Sequence, residues 1–261
     1  MSSDRLARLR ELLVAKGQER LSGPRKFIEF VHAVEADILL NNLEEYPHAF
    51  VIACIMDRQM AAEKAWRIPY HLKEAIGRFD FDALSRLSEP YFRKVMSGPP
   101  ALHRFPEVMA KNLHSALRRI EAEYGGDASE IWAERPSSAT IVRRFLEFDG
   151  VGQKIATMAA NILVRDFRIP VSDRYSIDIS VDVQIRRVFA RMGFVAEDAP
   201  PEFIIYRARE LHPEYPGIFD LVLWELGRTI CLPTRPRCIE CHWSELCAQQ
   251  HTKSPKHLPP R

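Results

Sequence analysis

The sequence has little of several features that define whole classes of protein. It contains no apolar run of about 18 residues, the length that a membrane-spanning helix needs. Only 11 of the 261 residues are glycine and 46% are hydrophobic, which excludes collagen-like, low-complexity and intrinsically disordered chains. The first residues, Met1 to Arg5, lack the apolar stretch of a signal peptide. We therefore expect a globular cytoplasmic protein that does not associate with membranes.

The sequence also lacks a strong net charge, since 37 basic residues nearly balance 35 acidic ones. The balance is uneven along the chain: residues 141–191 carry +3, residues 192–226 carry −5 and residues 227–261 carry +4. A near-neutral total therefore leaves room for two basic segments that could contact a polyanion.

Alternation of apolar and polar residues with a period of two is scarce, which predicts an all-α protein. Apolar residues repeat at helical spacing over residues 5–16, and Gly17 is predicted to end that helix. Ser137 is predicted to open another helix, and Gly125 and Gly193 to end two more. The tail, Lys253 to Arg261, is expected to be loosely ordered.

Residues 148–154 join two amphipathic segments. Gly150 and Gly152 flank the small apolar residue Val151, a pattern that allows a tight turn with positive φ and exposed backbone amides. Amides beside a helix N-terminus can bind one phosphate. An ordinary turn between two helices is the alternative, and this short motif alone favours it.

The cysteines are the most specific feature. Four thiolates in one short loop can enclose either a [4Fe-4S] cluster or one Zn²⁺ ion. Zinc ribbons have two C-x-x-C pairs, whereas this loop has one, which favours iron and sulfur. Cys54 lies in an apolar run and is predicted to be core. The four candidate ligands are Cys231, Cys238, Cys241 and Cys247.

The first part of this loop carries Arg235 and Arg237, each next to a proline. Exposed guanidinium groups on a stiff loop suit phosphate contacts. A solvated basic loop is the alternative.

Three stretches together resemble the endonuclease III branch of the helix-hairpin-helix DNA glycosylases. They are residues 150–156, residues 181–188 and residues 227–247. The resemblance covers residues 141–247 and implies two helical domains with a DNA cleft between them. Residues 46–165 would form a six-helix barrel that ends in the hairpin. Residues 1–45 and 166–261 would form a discontinuous domain around a [4Fe-4S] cluster.

The resemblance also implies catalytic roles. Lys154 matches the family's nucleophile and Asp182 its catalytic aspartate, which also suits a helix N-cap. Asp178 is a neighbouring competitor that lacks the motif following Asp182. Family members with another residue at the lysine position are monofunctional, so Lys154 implies a glycosylase that is also an AP lyase. Gln59 resembles the intercalating glutamine in rough position only, and a polar residue at a helix end is the alternative.

Two departures separate this chain from the family pattern. Asp149 stands where the family usually has proline, and 27 residues separate Lys154 from Asp182, more than is common. The additional stretch, Arg165 to Ser180, has no clear helical face.

The resemblance implies a monomeric enzyme that acts on double-stranded DNA containing a damaged base or an abasic site, and that is nucleoid-associated in a bacterium or archaeon. The alternatives are a monofunctional glycosylase for a mismatched or alkylated base and a non-catalytic DNA-binding protein with a structural metal.

Overall fold

The computed structural model describes residues 3–248, which contain helices and no strand. The predicted all-α class is therefore confirmed. The chain divides into two units. We call residues 25–172 the central unit, and residues 3–24 with 173–248 the terminal unit. The predicted loose tail, Lys253 to Arg261, lies outside the described residues. No helix in the described part of the chain is long and apolar enough to cross a membrane.

The central unit is built around helix α3 (Pro47–Met56), which is buried on all sides. All ten residues of this helix are buried, as expected for a helix that is apolar all round. At its centre Phe50 contacts Trp66, Trp132 and Phe145 edge-on, with ring centroids 5.8, 6.0 and 6.4 Å apart. The helices of this unit are α2 (Val34–Asn41), α3 (Pro47–Met56), α4 (Ala62–Trp66), α5 (Ile68–Ile76), α6 (Phe81–Ser85), α7 (Glu89–Ser97), α8 (Pro106–Tyr124), α9 (Ser138–Leu146) and α10 (Gln153–Arg165), and α3 is the buried one.

The first boundary between the units follows residue 24 and not residue 45, where the sequence placed it. The reason is aromatic packing that only the tertiary structure creates. Phe30 stacks on Trp66 with ring centroids 4.6 Å apart, and the Arg25 guanidinium lies 5.2 Å from the centre of the Phe167 ring. These contacts attach the segment before Tyr46 to the central unit.

The second boundary follows residue 172 and not residue 165. Helix α10 ends at Arg165, and no helix follows before Ser180, as the sequence predicted. The segment up to Ser172 stays with the central unit because the Ser172 N–H donates to the Pro136 carbonyl at 3.0 Å.

The terminal unit contains α1 (Ser3–Ser22), α11 (Val183–Met192), α12 (Pro201–Leu211) and α13 (Asp220–Thr229). Helix α1 continues through Gly17, so the predicted stop was wrong. A Cβ at Gly17 would lie 2.5 Å from the carbonyl oxygen of Ile218, and the glycine therefore permits close packing.

The other predicted helix ends are confirmed. Gly125 and Gly193 follow α8 and α11 in the left-handed conformation, and the Ser137 side chain caps α9.

Candidate functional site

The predicted hairpin joins α9 to α10 in the central unit. Gly150 has a φ of +84°, whereas Gly152 is extended and forms the N-cap of α10. The N–H of Val151 donates to the Phe148 carbonyl at 3.0 Å, and the Val151 side chain is buried. The N–H groups of Gly150 and Gly152 have no acceptor within residues 3–248. The amides of Gly150 and Gly152 are therefore available to bind a phosphate, whereas the Val151 amide closes the turn.

The hairpin packs closely against α8 and the loop after α3. A Cβ at Gly150 would overlap the Nδ2 atom of buried Asn112 and lie 2.9 Å from Nη1 of Arg58. Asp149 does not cap α10, whose N-cap is Gly152. Its carboxylate accepts a hydrogen bond from the Ser115 hydroxyl at 2.7 Å, which links the hairpin to α8.

Lys154 is the second residue of α10, directly after the hairpin. Its Nζ donates to Oδ2 of Asp57 at 2.9 Å. The carboxylate side chain is 7% exposed and the lysine side chain 43%. Sequence reasoning missed Asp57 as a site residue. The signal for it was a carboxylate placed directly after the ten-residue apolar segment of α3.

Two other titratable groups lie near this ion pair. Cys54 is fully buried, which confirms its predicted place in the core. Burial raises the pKa of its thiol, the Asp57 charge adds to this, and the Lys154 charge opposes it. His103 is within hydrogen-bond distance of the Met56 carbonyl through Nε2, at 3.2 Å. Burial lowers the pKa of His103, so its ring is neutral near pH 7.

Gln59 lies in the exposed loop after α3, with a left-handed φ of +52°. Its neighbour Arg58 approaches Gly150, so this loop and the hairpin belong to one surface of the central unit.

Asp182 lies in the terminal unit and is the N-cap of α11. Its Oδ1 accepts hydrogen bonds from the N–H groups of Gln184 and Ile185 at 2.9 and 2.8 Å. Asp178, the competitor, has a structural partner: Arg209 donates to both of its carboxylate oxygens, at 2.7 and 2.8 Å. Asp182 thus caps a helix, and Asp178 forms an ion pair with Arg209.

The four clustered cysteines line one cavity in the terminal unit, together with apolar side chains of α11 and α13. Burial raises the pKa of the Cys241 thiol, and the other three thiols raise it further. Nη1 of Arg191 lies 3.4 Å from the Cys231 sulfur, and the Cys247 thiol donates to the Arg191 carbonyl at 3.3 Å.

Arg235 and Arg237 are both exposed on the loop between Cys231 and Cys238. Arg237 lies 3.8 Å from Glu240, whereas no ion pair involves Arg235 in residues 3–248.

The sequence profile of the HhH-GPD superfamily base excision DNA repair proteins matches residues 52–214. The chain belongs to this superfamily. The matched HhH-GPD region contains the hairpin, Lys154 and Asp182, and it ends before the four clustered cysteines.

Curated relatives are similar to parts of this HhH-GPD protein. Endonuclease III of Thermotoga maritima is 28% identical over 160 residues, which cover 56% of this chain and 69% of that protein. Adenine DNA glycosylase of Rattus norvegicus is 27% identical over 142 residues, 52% of this chain and 24% of that one. The chain thus matches only about a quarter of the rat protein.

Two solved structures share the fold. A thermostable thymine-DNA glycosylase aligns with a TM-score of 0.62 at 18% identity, covering 94% of this chain and 97% of that one. A non-covalent endonuclease III–DNA complex aligns with a TM-score of 0.62 at 15% identity, covering 97% and 98%. The predicted resemblance to endonuclease III is confirmed at the level of family and fold.

The donor set of the cysteine loop fits the [4Fe-4S] cluster that the resemblance to endonuclease III implies. The four thiols line one cavity together with apolar side chains. Cysteine thiolates are the ligands that hold such clusters in proteins. No group of three or more His, Cys, Asp or Glu side chains in residues 3–248 forms a ready metal site.

Proposed function

We propose that this HhH-GPD protein is a DNA N-glycosylase that removes a damaged base and then cleaves the strand as an AP lyase. The observation that supports the proposal most directly is the place of Lys154, half exposed at the start of α10 behind the hairpin. An amine there can reach a sugar whose phosphate the hairpin binds.

The lyase chemistry needs a nucleophile and a stabilising charge. The Lys154 amine forms a bond to C1′ of the deoxyribose, and the glycosidic bond breaks with its electrons leaving on the base. Opening of the sugar ring gives a Schiff base. Loss of a C2′ proton then expels the 3′ phosphate. Asp182 stabilises the positive charge that develops on the sugar.

The proposed DNA contacts come from both units. The Gly150 and Gly152 amides, at the N-terminus of α10, bind one backbone phosphate. Gln59 fills the space that a flipped base leaves in double-stranded DNA. Arg235 and Arg237 bind further phosphates without reading sequence.

We assign the cysteine loop to a [4Fe-4S] cluster held by the four thiolates. When bound, the cluster contributes structure to the loop and no chemistry to base removal. Its role is to fix Arg235 and Arg237 on the surface.

Trapping with borohydride on a duplex that contains an abasic site tests the lyase assignment. Wild type is expected to form a covalent adduct and Lys154→Ala none. Lys94→Ala removes an exposed lysine of α7 and serves as the control. Equal trapping by Lys154→Ala and wild type contradicts the nucleophile.

The hydrogen bond from Lys154 to Asp57 also suits one alternative, in which the lysine has a structural role and does not attack the sugar. A monofunctional glycosylase would release a base and leave the strand intact. A panel of lesion-bearing duplexes, scored separately for free base and strand cleavage, distinguishes the two activities. A non-catalytic DNA-binding protein would give neither product.

A further inference from the structure

The two partners of the Asp57–Lys154 ion pair differ in mobility. Asp57 follows the last residue of the buried helix α3, and its side chain is 7% exposed. Lys154 is 43% exposed on a four-carbon side chain. The carboxylate is therefore fixed by the core, whereas the amine can turn toward a ligand outside.

Two of the titratable side chains near the pair are uncharged near pH 7. The nearby Cys54 thiol is neutral because burial raises its pKa, and His103 is neutral near pH 7 because burial lowers its pKa. The Arg58 guanidinium lies against Gly150 of the hairpin. The Asp149 carboxylate accepts a hydrogen bond from the Ser115 hydroxyl of α8.

We propose that Asp57 holds the Lys154 amine in position and accepts its proton, a role that rests on the proposed nucleophilic function of Lys154. The proton moves across the 2.9 Å hydrogen bond from Nζ to Oδ2. This transfer leaves a neutral amine and a neutral carboxylic acid. When DNA covers the site and excludes water, the neutral pair becomes more stable relative to the ion pair, since burying charge is costly.

The covalent step then balances within the site. The Nζ lone pair forms the bond to C1′, and the bond from C1′ to the base breaks with its electron pair leaving on the base. The attacking nitrogen loses a second proton as the departing base gains one. No external acid, base or oxidant is consumed.

This transfer predicts a distinctive dependence on pH. A proton that moves only within the pair is not exchanged with solvent, so the fraction of the pair in the neutral form does not depend on solution pH. If solvent had to remove the proton instead, the rate would rise about tenfold for each pH unit.

The test is single-turnover trapping with cyanoborohydride on an abasic duplex, from about pH 6 to about pH 9. We expect a flat profile for wild type. Asp57→Asn keeps the shape of the side chain but cannot accept the proton, so its rate should be about 100-fold lower at pH 7 and rise steeply until it approaches wild type near pH 9. Asp57→Glu should restore a flat profile at a lower rate, and the exposed Asp82→Asn should match wild type.

Three results would overturn the role of Asp57 while leaving the nucleophile intact. One is a constant loss in Asp57→Asn at every pH, which indicates support of the fold alone. Another is faster trapping by Asp57→Asn, which indicates that the carboxylate only restrains the amine. The third is a wild-type rate that rises tenfold per pH unit. This result excludes Asp57 as the proton acceptor even if Asp57→Asn does not fold. Trapping that persists in Lys154→Ala contradicts instead the proposed function itself.

Discussion

The Nδ2 atom of Asn112 occupies the space that a Cβ on Gly150 would need. Gly150→Ala must therefore displace the buried Asn112 side chain and also place alanine at a φ of +84°. We expect a loss of stability well above the cost of about 1 kcal/mol for a left-handed alanine, and weaker DNA binding. Gly77→Ala is the control, because Gly77 has a φ of +78° and open space around it. Chemical unfolding and DNA titration measure the two effects. Equal losses in both variants would contradict the packing role of Asn112.

Asp182 combines a helix cap with a proposed catalytic charge, and substitution can separate the two. Asparagine caps helices about as well as aspartate, so Asp182→Asn should retain the unfolding free energy and lose base release. Asp182→Ala should lose both, with a stability cost of about 1 kcal/mol. The matched control is Asp80→Ala. Asp80 is also an N-cap aspartate, but it lies in the central unit, so its loss should leave base release unchanged. Base release by Asp182→Asn at the wild-type rate would contradict the catalytic role.

The two loop arginines should contribute unequally to DNA affinity. Arg235→Ala should weaken binding to every sequence and reduce the salt dependence of binding by about one phosphate contact. Arg237→Ala should have a smaller effect, because Arg237 lies 3.8 Å from Glu240. Arg8→Ala, which removes an exposed arginine paired with Glu11, is the control. Titrations at several salt concentrations that show no change for Arg235→Ala would remove this loop from the DNA interface.

The cysteine loop should bind iron. The purified protein should absorb near 400 nm, and Cys241→Ser should lose iron and this band together, with a lower melting temperature. Cys54→Ser should retain the iron, because Cys54 is a core residue of the central unit. Elemental analysis that finds zinc in place of iron would contradict the cluster.

Buried histidines should make the fold sensitive to acid. Burial lowers the pKa of His48 and His103 below the ordinary value of 6.5. The unfolded chain therefore binds more protons below pH 6.5, so their contribution to stability is present above it and falls as the pH decreases. Urea unfolding at about pH 7.5 and about pH 5 should show this loss, and His48→Gln should reduce the difference between the two. If the difference between the unfolding free energies at the two pH values is unchanged in His48→Gln, other groups cause the acid sensitivity.

Patterns in the sequence predicted the helical class, the hairpin and the cysteine loop, because each depends on residues close together in the chain. Caps at Ser137 and Asp182 and the glycine at position 193 are also local signals. Contacts between residues that are close in the chain produce recognisable sequence patterns.

Contacts between residues that are distant in the chain are visible only in the folded protein. It paired Lys154 with Asp57, placed Gly17 inside a helix against Ile218, and joined Phe30 to Trp66 so that the central unit begins at residue 25. No local pattern encodes these contacts, since each depends on how separate helices pack around the core. Burial, and with it the environment of the candidate nucleophile, is a property of the packed chain.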